Sequence, residues 1–544
     1  MRYFQIFILL LLMMACRQAS RPSVYLAQRQ ALPPLTFRSM EDTLHLDPSF
    51  QRQFHYQKEY RQPIDARWIN FGLGGWDAGF DGAQFYNDAN FLHTVFWYNA
   101  DFDYSGFHRK QIDRDRTAIT TFVLAQFRDR ASFREAIFDQ PADIGLVQFM
   151  GTTVFENARF NSYVSFTNSK WADAALFDRT QFRKAAYFNL DSFSYCDFRG
   201  AQFDTLADFA YAQFRAKAIF GAHDPLTTGL PDTATTTFNA DVSFLEADFR
   251  EGVQFYKASF RGRVDFTNTR FSNNAIFRSV DLSSGSRLDF TGAVLPDTLD
   301  FSAVNHIPDD IDLTTANFTD PTHFDSAGRL PYRKHVIYLY KSDISRFHLD
   351  YAHFKLLTDS TLFVDSTLDL RRTGITEDDA DGMYEALLNN FKSRGQNESY
   401  KLLDIEYQKF KWQYGWASPL AWLPERWWNF GYNKEYIFYW TGVFLLLFTC
   451  ITFFILDYLN TRVYAMKNVP PLGRPFDRHS AVYVRNLGKR LWYAFVYSAN
   501  IFFRLTLKIE ELHYNKFWAT LYVMLMYTLG LVCLAYMANF VLQK

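Results

Sequence analysis

Residues able to do chemistry are present in this chain but dispersed. Its twelve histidines are scattered from His45 to His513. The nearest approach to a cluster is His348, Asp350 and His353, which match no recognised metal-ligand motif. Residues 72–75, Gly-Leu-Gly-Gly, lack the strand–turn–helix setting of a phosphate loop and read as a turn. Cys16, Cys196, Cys450 and Cys533 lie far apart, with neither metal-type spacing nor the pattern of a disulfide framework. The reading is that the chain is no enzyme and carries no cofactor.

The periodic residues are aromatic. The chain has 544 residues and 58 Phe. From residue 154 to 188 a large ring falls at Phe155, Phe160, Phe166, Trp171, Phe177, Phe182 and Phe188, alternating five and six residues apart. Neither a helix nor a long strand has that period. The ladder starts near Phe80 and Phe85, runs to Phe220, returns at Phe238 and fades through Phe290, Leu295 and Phe301. Two residues before the ring stands a small or β-branched residue, as at Ala158, Ala175 and Ala186. Residues two apart on an extended segment share a face, so ring and small residue both point inward. Self-similarity at a fixed short period marks a solenoid, in which no turn is stable alone. Burying each ring contributes roughly 1.5–3 kcal/mol.

Ala-Asp-Phe (100–102), Ala-Gln-Phe (125–127), Ala-Ser-Phe (131–133) and Ala-Arg-Phe (158–160) resemble the pentapeptide-repeat family. That resemblance implies a β-solenoid, a right-handed four-sided β-helix. This chain departs from the strict form by its 5/6-residue alternation and its near-exclusive use of Phe. About nine turns and a rod of about 45 Å are expected, from the strand spacing. Some relatives mimic DNA with a strongly acidic rod. Residues 80–220 hold 17 acidic and 15 basic side chains, and the whole chain has a net charge of −1. That balance speaks against such mimicry and against nucleic acid as a partner.

The organisation expected around the rod is as follows. Residues 1–20 read as an export segment, positive at Arg2 and apolar afterwards; Leu-Met-Met-Ala-Cys at 12–16 resembles a bacterial lipobox, with Cys16 as its lipidation site. Residues 21–76 would lead into and cap the solenoid of 77–330. Residues 221–237, rich in Pro, Gly and Thr, would leave it as a loop. Residues 331–372 would cap its other end. Thr376 with an acid at Asp379 reads as a helix start, and Gly395 as a stop, within a helical hairpin over 376–415.

Residues 416–436 are dense in Trp, and eight of the twelve Trp fall between Trp412 and Trp518, suiting a membrane surface. Two charge-free runs, 437–456 and 517–538, are long enough to span a bilayer. A shorter apolar segment lies at 491–507. Span, half-length segment and span resemble the two-helix ion-channel module found at the C-terminus of some pentapeptide-repeat membrane proteins. That resemblance implies a pore helix and a glycine-bearing filter, yet residues 502–516 contain no glycine. Glu510 and Glu511 could ring a pore mouth. The loop at 460–490 carries Arg462, Lys467, Arg474, Arg478, Arg485, Lys489 and Arg490 against Asp477, which places it in the cytoplasm and the rod outside. The reading is an envelope scaffold anchored in the bacterial inner membrane, with the bilayer and a protein or a second copy as partners. A channel-like protein without a glycine filter is the alternative.

Overall fold

A computed structural model describes residues 59–72, 75, 77–112, 116–222, 234–318, 334–356, 376–414, 422–465, 483–503 and 516–542. It divides into two compact units, one of strands and one of helices; the second takes Asp350–Ala352 together with Thr376–Lys544.

The strand unit is a β-solenoid of about 12 turns, built wholly from parallel pairings between its named strands. Most strands are two residues long, and each turn places four of them. Two longer strands, Lys170–Leu176 and Ser192–Asp197, run through a corner and join two faces into one sheet. Register is strict: Phe127 pairs with Phe149, and Phe138 with Phe160. A one-residue slip would turn every ring outward, so the burial of the rings themselves fixes that register.

The rings form four columns. In one, Phe133 stacks on Phe155 at 4.8 Å and Phe155 on Phe177 at 5.0 Å, with planes within a few degrees. Between columns the rings meet edge to face, as Phe155 does Phe166 at 5.4 Å and 79°. Both are preferred geometries of aromatic pairs. Phe155, Phe160, Phe166, Phe177, Phe182 and Phe188 have no exposed surface, and Trp171 is 2% exposed. Ala158, Ala175 and Ala186 are equally buried in the strips between columns.

The alternation of five and six has a backbone cause. In the five-residue steps the residue two after the ring takes a positive φ, as do Leu124, Glu135, Asn157 and Leu190, and Leu146 does so after Ile144, which fills a ring position. The amide after it bonds back to the ring residue's carbonyl, as Ala136 does to Phe133 and Ala158 to Phe155. This is a tight β-turn, and it shortens the side by one residue. The left-handed conformation costs a non-glycine residue about 1 kcal/mol or more. The core rings and the stacked neighbours hold it there.

The turn count corrects the expected nine. Among the described residues strands begin at Glu59–Tyr60, where Tyr60 stacks on Phe85 at 4.7 Å. They continue past residue 330: Leu299 pairs with Ile337, and Ile337 with Leu356. In these outer turns Tyr60 and Leu282 stand in the ring register opposite Phe85 and Phe260, while Leu299, Ile337 and Leu356 continue the small-residue file of Ala218, Val253 and Ala275. Residues 223–233 of the expected loop, and 357–372 of the expected cap, lie outside the described residues.

In the helical unit, α1 (Glu377–Ser393) opens on a capping box formed by Thr376 and Asp379. Gly395, at φ +70°, turns the chain into α2 (Asn397–Tyr414). Tyr384 of α1 stacks on Tyr407 of α2 at 5.0 Å. Four further helices follow: α3 (Trp422–Trp428), α4 (Tyr436–Arg462), α5 (Tyr483–Phe502) and α6 (Phe517–Leu542). Over α4 and Phe517–Phe540 the chain is long and apolar enough to cross a membrane.

Phe155→Ala should open a cavity between Phe133 and Phe177 and cost about 3–5 kcal/mol, read as a lowered denaturant midpoint of the solenoid. Phe155→Leu should cost clearly less.

Candidate functional site

The solenoid interior holds one polar centre at a ladder position. Trp171 replaces Phe, and its indole N–H needs an acceptor. Asp191, fully buried, occupies a position elsewhere filled by a small residue. Its carboxylate accepts from the Ser169 amide at 2.7 Å and from Trp171 Nε1 at 3.3 Å. Ser169 Oγ in turn donates to the Ile144 carbonyl and accepts from the Val147 amide. Burial pushes the Asp191 carboxyl well above the usual range, with the Ser169 and Trp171 hydrogen bonds pulling the other way. The centre has no exposure to a ligand, and its geometry serves packing.

Charges also pair between successive turns, buried in Arg278–Asp300 at 2.8 Å and partly exposed in Arg134–Glu156 at 2.9 Å. A shallow recess of about 430 Å³ is lined by Ile137, Arg159, Asn161, Arg183, Lys184 and Asp204. Among the described residues, no group of three or more His, Cys, Asp or Glu is placed to hold a metal ion. His348 faces Asp312 at 3.4 Å, while His353 stacks on Phe318. They are not brought to one centre. Cys196 is buried in a small-residue strip. Cys16, Glu510 and Glu511 lie outside the described residues.

The helical unit contains polar chemistry that sequence reading missed. Arg490 of α5 is buried; its guanidinium donates to the Phe453 carbonyl at 2.7 Å and to the Asp457 carboxylate of α4 at 2.8 Å. Next to this pair a relay links three helices. Ser498 of α5 donates to Thr452 of α4 at 3.0 Å, Thr452 meets the Tyr522 hydroxyl of α6 at 3.0 Å, and Tyr522 donates to the Phe448 carbonyl at 2.9 Å. The signal available in the sequence was Asp457, the first charge after the apolar run of 437–456.

The expected segment 491–507 is instead helical from Tyr483 to Phe502. Its charged start escaped a search for apolar runs, because Arg490 is neutralised by contacts 33 residues away in sequence. The end of α5 lies at mid-height of its neighbours. Phe502 lies beside Phe448, near the middle of α4, with ring centroids 6.1 Å apart. Its carbonyl fits against Gly530, near the middle of α6, where a Cβ would overlap it. Helices α4 and α6 run antiparallel, since Phe438 meets Phe540 at one end and Thr452 meets Tyr522 further along. At the Phe438 end, Trp427 stacks on Trp440, and a recess of about 570 Å³ is lined by Trp412, Trp427, Trp428, Phe430 and Tyr536 among others.

Residues 122–170 match the family described as Pentapeptide repeats (9 copies). That stretch lies within the regular part of the ladder, and the match is to the repeat, not to the whole chain. No curated protein and no solved structure matches the chain.

Two outcomes follow from these sites. Burial raises the Asp191 carboxyl in the folded protein above its unfolded value of about 3.9. Unfolded chains therefore release a proton first, and stability falls as pH rises from about 4 until the folded value is passed. Asp191→Asn should flatten that slope in urea midpoints measured across pH 4–8. Gly530→Val should push α5 away from α6 and lower the thermal stability of detergent-solubilised protein by about 1–3 kcal/mol. Gly442→Val in α4, with open space around it, should not.

Proposed function

We propose that this chain is a non-catalytic, membrane-anchored scaffold of the cell envelope. The observation that carries it is a ring-filled rod continuous in one chain with two helices apolar enough to cross a bilayer. Rods of this kind present flat faces of mixed charge, suited to docking rather than turnover. The anchor is the bacterial inner membrane, with the solenoid on the extracytoplasmic side. The support for this orientation is the basic loop between α4 and α5. Arg490 drops out of that count because it is buried against Asp457, yet Arg462, Lys467, Arg474, Arg478, Arg485 and Lys489 remain. The partners are the bilayer and a protein, which includes a second copy of the chain; nucleic acid is not among them.

A second reading, a channel-like module, draws on α5. Over the described residues α5 ends at mid-height of two neighbours apolar enough to span, and the end of a helix is where backbone carbonyls need partners from outside it. Such backbone is tolerated only against protein or around water. The absence of glycine from residues 502–516 speaks against a carbonyl filter of the potassium type.

The test is topology. Single cysteines at Ser162, Ser480 and Lys544, in a background without native cysteines, are exposed to an impermeant maleimide on intact cells. Labelling at Ser162 and Lys544 but not Ser480 is expected. Labelling at Ser480 alone would place the rod in the cytoplasm and sink the scaffold reading. Bilayer conductance of the reconstituted protein would move the channel reading ahead.

A further inference from the structure

Each regular turn of the solenoid makes two tight corners with the same backbone, and their surfaces differ. At one corner the positive-φ residues are Tyr104, Glu135, Asn157, Arg179 and, as a glycine, Gly200. With the residue before each, this corner carries Asp103, Arg134, Glu135, Glu156, Asp178, Arg179 and Arg199. At the other corner the positive-φ residues over five turns are Leu124, Leu146, Asn168, Leu190 and Tyr211. With their preceding residues Val123, Gly145, Thr167, Asn189 and Ala210, this corner has no charged side chain. The amide of each positive-φ residue bonds to the next turn, Leu124 to Gly145, Leu146 to Thr167 and Leu190 to Ala210, so they form one straight file. Trp68, stacked on His93 at 3.8 Å, extends the file by two turns.

Leu124, Leu146, Leu190 and Tyr211 are 39%, 43%, 51% and 38% exposed. The left-handed region suits Asn and Gly, and disfavours Leu and Tyr. The opposite corner shows that polar residues satisfy the same turn. Large apolar side chains here are costly both to the backbone and to solvation, and the fold does not require them. Exposed apolar side chains aligned in one uncharged file, broken at Asn168, mark an interaction surface.

We propose that this stripe is where two copies of the chain meet, corner to corner. Over the five turns from Leu124 to Tyr211 the stripe is charge-free and accepts a charge-free partner, Arg67 adding a charge only beside Trp68 at the extended end. A straight file with one side chain per turn, repeating at about 4.8 Å over about 30 Å, is self-complementary under a two-fold axis, each copy's side chains filling the other's gaps. A stripe one or two residues wide is smaller than the roughly 800 Å² per partner of a standing soluble interface. It is adequate for copies kept at high effective concentration. In that respect the inference rests on the membrane anchoring proposed above.

The test uses the full-length protein in native membranes with Cys16 and Cys450, the latter the exposed thiol among the described residues, changed to Ser. Leu146→Cys sits near the middle of the file and meets its own counterpart whether the two rods run parallel or antiparallel. A short bis-maleimide should link Leu146→Cys into dimers at least tenfold more than Asn157→Cys on the charged corner. Adding Leu124→Asn and Leu190→Asn, which suit the turn, should cut that yield about tenfold with the melting temperature unchanged or raised. Equal linking at both corners, linking that survives the Asn pair, or protection of Leu146→Cys from maleimide without a dimer would overturn the proposal. So would a fall in melting temperature without any dimer, which would make the file internal packing. Membrane fractionation of the same samples separates the two readings: linking in protein that leaves the membrane would sink the anchor and leave the stripe standing.

Discussion

Everything in the strand unit depends on a match of two lengths. Parallel strands sit about 4.8 Å apart, and phenyl rings stack offset at about that distance; the Phe96–Phe127 and Phe155–Phe177 pairs measure 4.5 and 5.0 Å. Hydrogen bonds between successive turns and contacts between successive rings are therefore satisfied by the same register. Neither works alone. Two-residue strands are too short to persist, and a single ring has nothing to stack on. The coincidence makes the repeat cooperative along the axis and indifferent to what the outward residues are. That indifference leaves the surface open to carry function.

The ladder was legible because it is a local rule: a ring, two residues after a small side chain, repeated in strict alternation. The four columns, the buried alanines and the parallel stacking follow from that rule. The number of turns was not legible. At Tyr60 and Leu282 the ring position takes another bulky side chain, and at Leu299, Ile337 and Leu356 the small-residue position takes a large one, so the pairing of small residue and Phe is lost. The corners were hidden for another reason. Positive φ at Leu124 or Leu146 contradicts residue preference, and only the stacked neighbours impose it. The Arg490–Asp457 pair was hidden by distance, since charges that look solvated in sequence neutralise each other across two helices. Cys16, Glu510 and Glu511 stay as sequence readings.

The two units place polar groups inside by the same logic. Asp191 is matched to the one indole in the ladder, and Ser169 completes its shell. Arg490 is matched to Asp457 and to a helix carbonyl, while Ser498, Thr452 and Tyr522 pass hydrogen bonds from helix to helix. In both centres the neighbours supply hydrogen bonds to the buried groups, as low-dielectric surroundings require. What differs is the consequence. In the rod the polar centre fits one oversized side chain. In the helices the polar contacts tie α5 to α4 and α4 to α6.

Phe198 stacks on Phe220, and Phe220 on Phe255, although the second step carries the residues of 223–233 and the first does not. The stacking distances, 5.0 and 5.4 Å, hardly register the difference. The axis therefore behaves as a ruler whose graduations are insulated from one another. A turn of 22 residues removed or duplicated would change the distance between the two ends by one graduation, with every surviving contact of the same kind as before. Reach can thus vary in steps while the surfaces at either end stay unaltered.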